Sequence, residues 1–257
     1  MMTYIINKFA NTAFTTGLGR QENIDIRIFE RALIDAHGVI DSITKNIPID
    51  IFSILGMRNL SAFIGEIFAR SLAKESNGRF IGNPHQDGYP DLLLMNNDGV
   101  KAYEAIRAVA GLRDKAPFSP FPNGGLEIKA TCGSVPSPAR CTQLGIEKPD
   151  IGDTRISVLT GYDWKAHHRE TNNLIGILWD FNDGIPHIMA VFFGNNLTED
   201  DWGRIVQPKE GGGRTTSVSI MTREGVNKMY QNWIAVKDDS RYMDLLNRYN
   251  KGRIIHR

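Results

Sequence analysis

Near residue 80 the hydrophobic period of the chain changes, and that change limits the folds open to it. From Glu22 to Lys45 apolar residues recur at Ile24, Ile28, Leu33, Ala36, Ile40 and Ile43, close to helical spacing, until Pro48 stops the run. A second helical stretch opens at Asn59-Leu60-Ser61. It carries Leu60, Phe63, Ile64, Ile67, Phe68 and Leu72 on one stripe and closes at Ser76-Asn77-Gly78. Beyond residue 80 the period shortens. Asp91-Leu92-Leu93-Leu94-Met95 reads as a short buried strand. Asn96-Asn97-Asp98-Gly99 reads as a hairpin turn, with Val100 to Ile106 returning as a strand. Leu126 to Thr131 alternates apolar and charged residues at period two. Arg155 to Thr160, Leu174 to Phe181, His187 to Phe193 and Thr215 to Met221 are further strands, and Asn182-Asp183-Gly184 joins the middle two. Thr222 caps a last helix that should run through Trp233, and the tail from Arg241 starts helical and ends basic.

Helices that lead and trail a mixed sheet imply an α/β or α+β architecture. The 257 residues suit a single domain: a helical N-terminal part (1–80), a sheet core (81–221) and a C-terminal helical part (222–257). Hydrophobic residues make up 41% and charged residues 23%, enough for a packed core and too apolar for global disorder. Thirty Lys and Arg against 29 Asp and Glu leave a net charge of +1, which excludes a uniformly basic coat for nucleic acid but leaves room for a local basic cleft. Two cysteines, Cys132 and Cys141, are too few for a disulfide scaffold. No apolar run approaches the roughly 20 residues of a membrane span. The first residues lack the long apolar stretch of a signal peptide, so a soluble cytoplasmic chain is expected.

Chemistry concentrates at two places. Pro90-Asp91 opens the first sheet-core strand, and Glu127-Ile128-Lys129 lies in a later one. Residues i and i+2 of a strand share a face, so Glu127 and Lys129 project together while Leu126, Ile128 and Ala130 point into the core. A neighbouring strand beginning at Asp91 brings a second carboxylate to the same edge. Two carboxylates with water and phosphate oxygens suit Mg²⁺, and a lysine beside them stabilises an attacking water or a crowded phosphate.

This arrangement resembles the PD-(D/E)xK nuclease superfamily, and within it the type II restriction endonucleases. The resemblance implies a restriction-endonuclease-like mixed β-sheet flanked by helices. It implies that Asp91 and Glu127 hold Mg²⁺, that the Ile128 carbonyl adds a metal ligand, and that Lys129 assists the water. An acidic residue on the preceding helix often helps in that family, and Glu66 is the candidate. The resemblance further implies a homodimer acting on double-stranded DNA at a palindromic site, 5′-phosphate products, and a cognate DNA methyltransferase in the same system. Two competing readings are a structure-selective repair or resolvase-type nuclease and a non-catalytic DNA-binding protein with a fortuitous motif.

Asp91 and Glu127 are 36 residues apart, so the intervening segment should loop out toward DNA. The loop after the Glu127 strand offers Ser134, Ser137, Arg140, Thr142, Gln143 and Lys148 as donors to phosphates or base edges. Arg214, at the end of Gly211-Gly212-Gly213, is a further phosphate contact. A decoy motif, Pro149-Asp150 with Asp163-Trp164-Lys165, fits worse, because Asp150 precedes turn residues and no apolar strand follows it directly. His85-Gln86-Asp87 and His167-His168-Arg169-Glu170 read as solvated turns, although His167 and His168 could face DNA. The two cysteines read as separate thiols, and Trp164, Trp179, Trp202 and Trp233 as core or rim residues.

Overall fold

The computed structural model describes residues 3–109, 114–133, 136–147, 164–208 and 217–250. In chain order the elements are β1 (Tyr4–Ile6), β2 (Ala13–Thr15), β3 (Gln21–Asn23), α1 (Ile26–Asn46), α2 (Ile51–Ile54), α3 (Met57–Glu75), β4 (Phe80–Gly82) and β5 (Leu92–Leu94). Next come α4 (Asn97–Val109), β6 (Gly125–Thr131), α5 (Pro138–Leu144), β7 (Lys165–Ala166), β8 (Leu174–Asn182) and β9 (Ile185–Gly194). The last are β10 (Ser219–Ile220), α6 (Arg223–Gln231), β11 (Trp233–Lys237) and α7 (Ser240–Asn250). A seven-stranded mixed sheet in the order β1-β11-β9-β8-β6-β5-β4 organises them, and helices flank it. Only β6 and β8 run parallel; every other neighbouring pair in this sheet is antiparallel. A parallel pair needs a crossover, and α5 lies within it.

The centre of the sheet is the β8–β9 hairpin. Its turn places Asp183 and Gly184 at φ 52° and 78°, the left-handed pair that lets a two-residue turn follow the strand twist. Both strands are buried along almost their whole length, because helices cover both faces. On one face α1 (Phe29, Ala36, Ile40) and α3 (Ile64, Phe68, Leu72) pack on Ile128, Ile175, Ile177 and Val191. On the other, α6 (Met229, Tyr230) and α7 (Leu245, Leu246) pack on Leu174, Leu178, Ala190 and Phe192. A separate cluster joins Leu93 of β5 to Ile106 of α4 with Phe118 and Phe121. Each such side chain contributes about 1.5–3 kcal/mol by leaving water.

Several expectations change. Asn96 to Ile106 is not a hairpin but the start of α4: the Asn96 side chain accepts the Gly99 N–H at 3.0 Å, as a helix cap does. The described residues of the segment between Asp91 and Glu127 therefore do not loop out; Phe118 and Phe121 anchor its second half in the core. The loop after β6 contains a helix, α5, begun by a Ser137 cap and Pro138 and closed by Gly145 at φ 64°. Trp233 opens β11 instead of ending a helix, and β1 pairs with that strand, so the N-terminal part is not purely helical. Of the Thr215 to Met221 strand the described residues contain β10, Thr215 and Thr216 lying outside them, and the Arg155 to Thr160 expectation also lies outside the described residues. Among the described residues no helix is long and apolar enough to cross a membrane.

Candidate active site

Leu92 pairs with Leu126 in the antiparallel β5–β6 ladder. Continued by one step, that register sets Asp91 opposite Glu127, and opposed residues point to the same face. Lys129, two residues on, shares it. Lys129 Nζ lies 2.5 Å from Glu127 Oε1 and 3.5 Å from Asp91 Oδ2. The Asp91 N–H donates to Glu127 Oε2 at 3.2 Å, and the Ile128 N–H donates to Asp91 Oδ2 at 2.7 Å. These bonds replace ladder bonds where the two strands part. The face is the one that carries Leu93 and Leu174, so the triad sits in the gap between the α4 cluster and the α6–α7 cluster. Glu127 forms the floor at 7% exposure, whereas the Asp91 and Lys129 side chains keep 33% and 27%.

Burial sets the electrostatics. It pushes the Glu127 carboxyl up to about 7, with the Asp91 charge adding to the shift and Lys129 opposing it. For Lys129 burial acts downward, but the charges of Glu127 and Asp91 outweigh it and hold the amine above its usual range. Lys129 is thus a fixed ammonium. Two carboxylates against one ammonium leave excess negative charge in a low-dielectric crevice, which a cation relieves.

The donor set fits a hard cation. Asp91 Oδ1 carries no protein hydrogen bond among the described residues. A strand residue sends its N–H and C=O to the same side, so the Ile128 carbonyl leaves β6 on the side where its N–H meets Asp91. Among the described residues no third His, Cys, Asp or Glu joins the two carboxylates in a metal-binding group. A cation here would complete its shell with water and phosphate oxygens, as Mg²⁺ commonly does.

The other expected residues are not brought to the triad. Glu66 is exposed on α3, and α3 covers the opposite face of β6: a Cβ on Gly65 would stand 3.8 Å from that of Ala130. Ser137 is committed to capping α5, accepting the Arg140 N–H at 3.3 Å. Arg140 and Gln143 are exposed on α5, joined by a 3.1 Å hydrogen bond from the guanidinium to Gln143 Oε1. Ser134, Lys148 and Arg214 lie outside the described residues, as do Asp150 and Asp163 of the decoy. Lys165 is exposed on β7, paired with β10 away from the main sheet. Cys132 and Cys141 are both buried, and all four tryptophans are buried in the core.

Two residues at the site escaped the sequence reading. His168 is half-buried, not a solvated turn residue, and its ring stands edge-on to Tyr89 at 4.4 Å between centroids. Tyr89 lies two residues before Asp91; burial and then the Glu127 charge push its phenol up to about 12. The turn after His168 is tied to the triad strand. Asn173 O accepts the Glu127 N–H at 3.1 Å, and Tyr89 Oη accepts the Asn172 N–H at 3.4 Å. Nothing in local sequence carries this, because it depends on the parallel pairing of Glu127 with Leu174. Comparison of the chain with family models, with curated proteins and with solved structures found no match.

Proposed function

We propose that this chain is a Mg²⁺-dependent endonuclease of the type II restriction class, cutting double-stranded DNA as a cytoplasmic homodimer. The observation that carries the reading is the convergence of Asp91, Glu127 and Lys129 where β5 and β6 part, in a crevice with surplus negative charge. The mixed sheet flanked by helices is the layout such an enzyme requires. In this reading Asp91, Glu127 and the Ile128 carbonyl hold the metal. Bound Mg²⁺ would supply Lewis-acid stabilisation of the scissile phosphate. Lys129, kept protonated by its two carboxylates, orients the attacking water and stabilises charge on phosphate oxygens; it is not the group that removes the proton. Attack opposite the 3′ oxygen leaves a 5′-phosphate and a 3′-hydroxyl.

The test is single-turnover cleavage of unmethylated phage DNA, with a gel shift in Ca²⁺ alongside. Lys129→Ala should cut about 10²–10³-fold more slowly, the loss seen when one preorganised donor is removed, and still bind. Lys165→Ala should cut at nearly the wild-type rate. The opposite result moves the site to the decoy. Cleavage undiminished in excess EDTA removes the metal. Cutting without discrete bands favours the structure-selective nuclease, and DNA binding with no cleavage in any divalent cation favours a non-catalytic binder.

A further inference from the structure

We propose that His168 is a further catalytic residue of this centre, the base whose Nε2 takes the proton of the attacking water. The inference rests on the nuclease reading above and answers a question which that reading leaves open. Hydrolysis needs a proton acceptor. Lys129 is already protonated, and the two carboxylates are committed to the cation and to the N–H groups of Asp91 and Ile128.

The hydrogen bonds of Thr171 suit one tautomer of His168. Thr171 Oγ1 lies 3.2 Å from the His168 carbonyl and 3.4 Å from His168 Nδ1. A hydroxyl has one proton to give. Donated to the carbonyl, it leaves the Thr171 oxygen to accept from an Nδ1–H. Nε2 then carries the lone pair, and among the described residues it has no protein partner. Tyr89 packs edge-on against the ring at 89° and limits its rotation. Tyr89 is also the link to the triad, because it lies two residues before Asp91 and feels the charges of Glu127, Lys129 and Asp91.

The charged groups facing the imidazole are Glu170 and His167 of its own segment and Lys129 across from it. Burial, first, lowers its pKa, Glu170 opposes that, and His167 and Lys129 lower it further; the net direction is down. A neutral imidazole at neutral pH is the form a base needs. In the step, the water oxygen bonds to phosphorus as its proton passes to Nε2. The P–O3′ bond breaks, its electron pair stays on O3′, and that oxygen takes a proton from solvent.

Three measurements test this. First, His168→Ala and His168→Gln should each cut about 10²–10⁴-fold more slowly at pH 7, the usual worth of a general base, with Ca²⁺-supported DNA binding unchanged. Second, the wild-type pH–rate profile should level off once His168 is neutral, and that plateau should be lost in both variants, whose rates should keep rising with hydroxide. Third, imidazole nitrogen NMR of the metal-free protein should show His168 neutral and protonated on Nδ1 at pH 7, titrating below the usual histidine range. Wild-type cutting matched by both variants, with the plateau intact, overturns the His168 assignment and leaves the nuclease reading standing. An Nε2–H tautomer also overturns it. A wild-type protein that cuts no DNA overturns both.

Discussion

At Glu127 function and stability pull in opposite directions. The carboxylate is buried beside a second carboxylate, and its pKa rises from 4.5 toward 7. A group whose folded pKa is raised contributes stability below its unfolded pKa and loses it as pH climbs to the folded value. Ionised Glu127 is therefore a cost in the metal-free protein at pH 8, on the order of 3 kcal/mol for a shift of this size. Glu127→Gln keeps an oxygen to accept the Asp91 N–H and removes the charge. In EDTA at pH 8 its Tm should exceed that of the wild type by several degrees, and it should cut no DNA. Calorimetry decides the first part; a variant melting below the wild type would mean that the pairing with Lys129 outweighs the burial cost. The convergence of Asp91, Glu127 and Lys129 was legible in the sequence because a strand period fixes which side chains share a face. The burial of Glu127 was not legible. A lone alternating strand looks half-solvated, and only β5 and β8 on either side make β6 a central strand.

Local signals at the element scale were present and ambiguous. Asn96-Asn97-Asp98-Gly99 serves a hairpin turn and a helix start equally well, since an Asn side chain can cap either; Ala102, Tyr103 and Ile106, packed beside the Leu93 cluster, decide for the helix. Gly99 has a task that the sequence alone does not disclose. A Cβ there would stand 1.8 Å from the Leu94 carbonyl oxygen and 2.8 Å from Asn123 Nδ2, so α4 leaves β5 at a distance only glycine allows. Gly99→Ala should force the helix start outward, break the Asn123 bond to Leu94 O, and cost about 1–3 kcal/mol or more, as overpacking does. Urea unfolding measures that cost. An alanine variant as stable as the wild type would show that the β5–α4 junction yields easily. The β8–β9 hairpin, by contrast, was read nearly to its ends, because two long apolar runs around Asn182-Asp183-Gly184 admit little else. β1 and β11 were missed for a related reason: their pairing joins the two ends of the chain, and no local pattern announces a partner 233 positions away (Tyr4 with Lys237).

Across the whole molecule, the sheet determines where DNA would have to lie. Helices α1 and α3 close one face, while among the described residues the other is divided between the α4 cluster and α6 with α7, and the triad lies on that second face between them. On the proposed reading a duplex would approach from that side, and one crevice would reach one strand. Cutting both strands at one site therefore calls for a second crevice related by two-fold symmetry, which a palindromic site matches. The homodimer in the proposed function thus carries a consequence of its own. If wild-type protein and an Asp91→Asn variant are unfolded together, refolded together and separated by a tag on each chain, the mixed dimer has one competent crevice. Asp91→Asn replaces an exposed-rim oxygen donor without changing volume, so the mixed dimer should fold and bind DNA. On supercoiled plasmid with a single site it should accumulate open circle, each binding event nicking one strand. Wild-type dimer should pass quickly to linear DNA, and the doubly substituted dimer should leave the plasmid supercoiled. A mixed species that makes linear DNA at the wild-type rate would mean that one crevice serves both strands in turn, and the two-fold arrangement would then have no role in the cut.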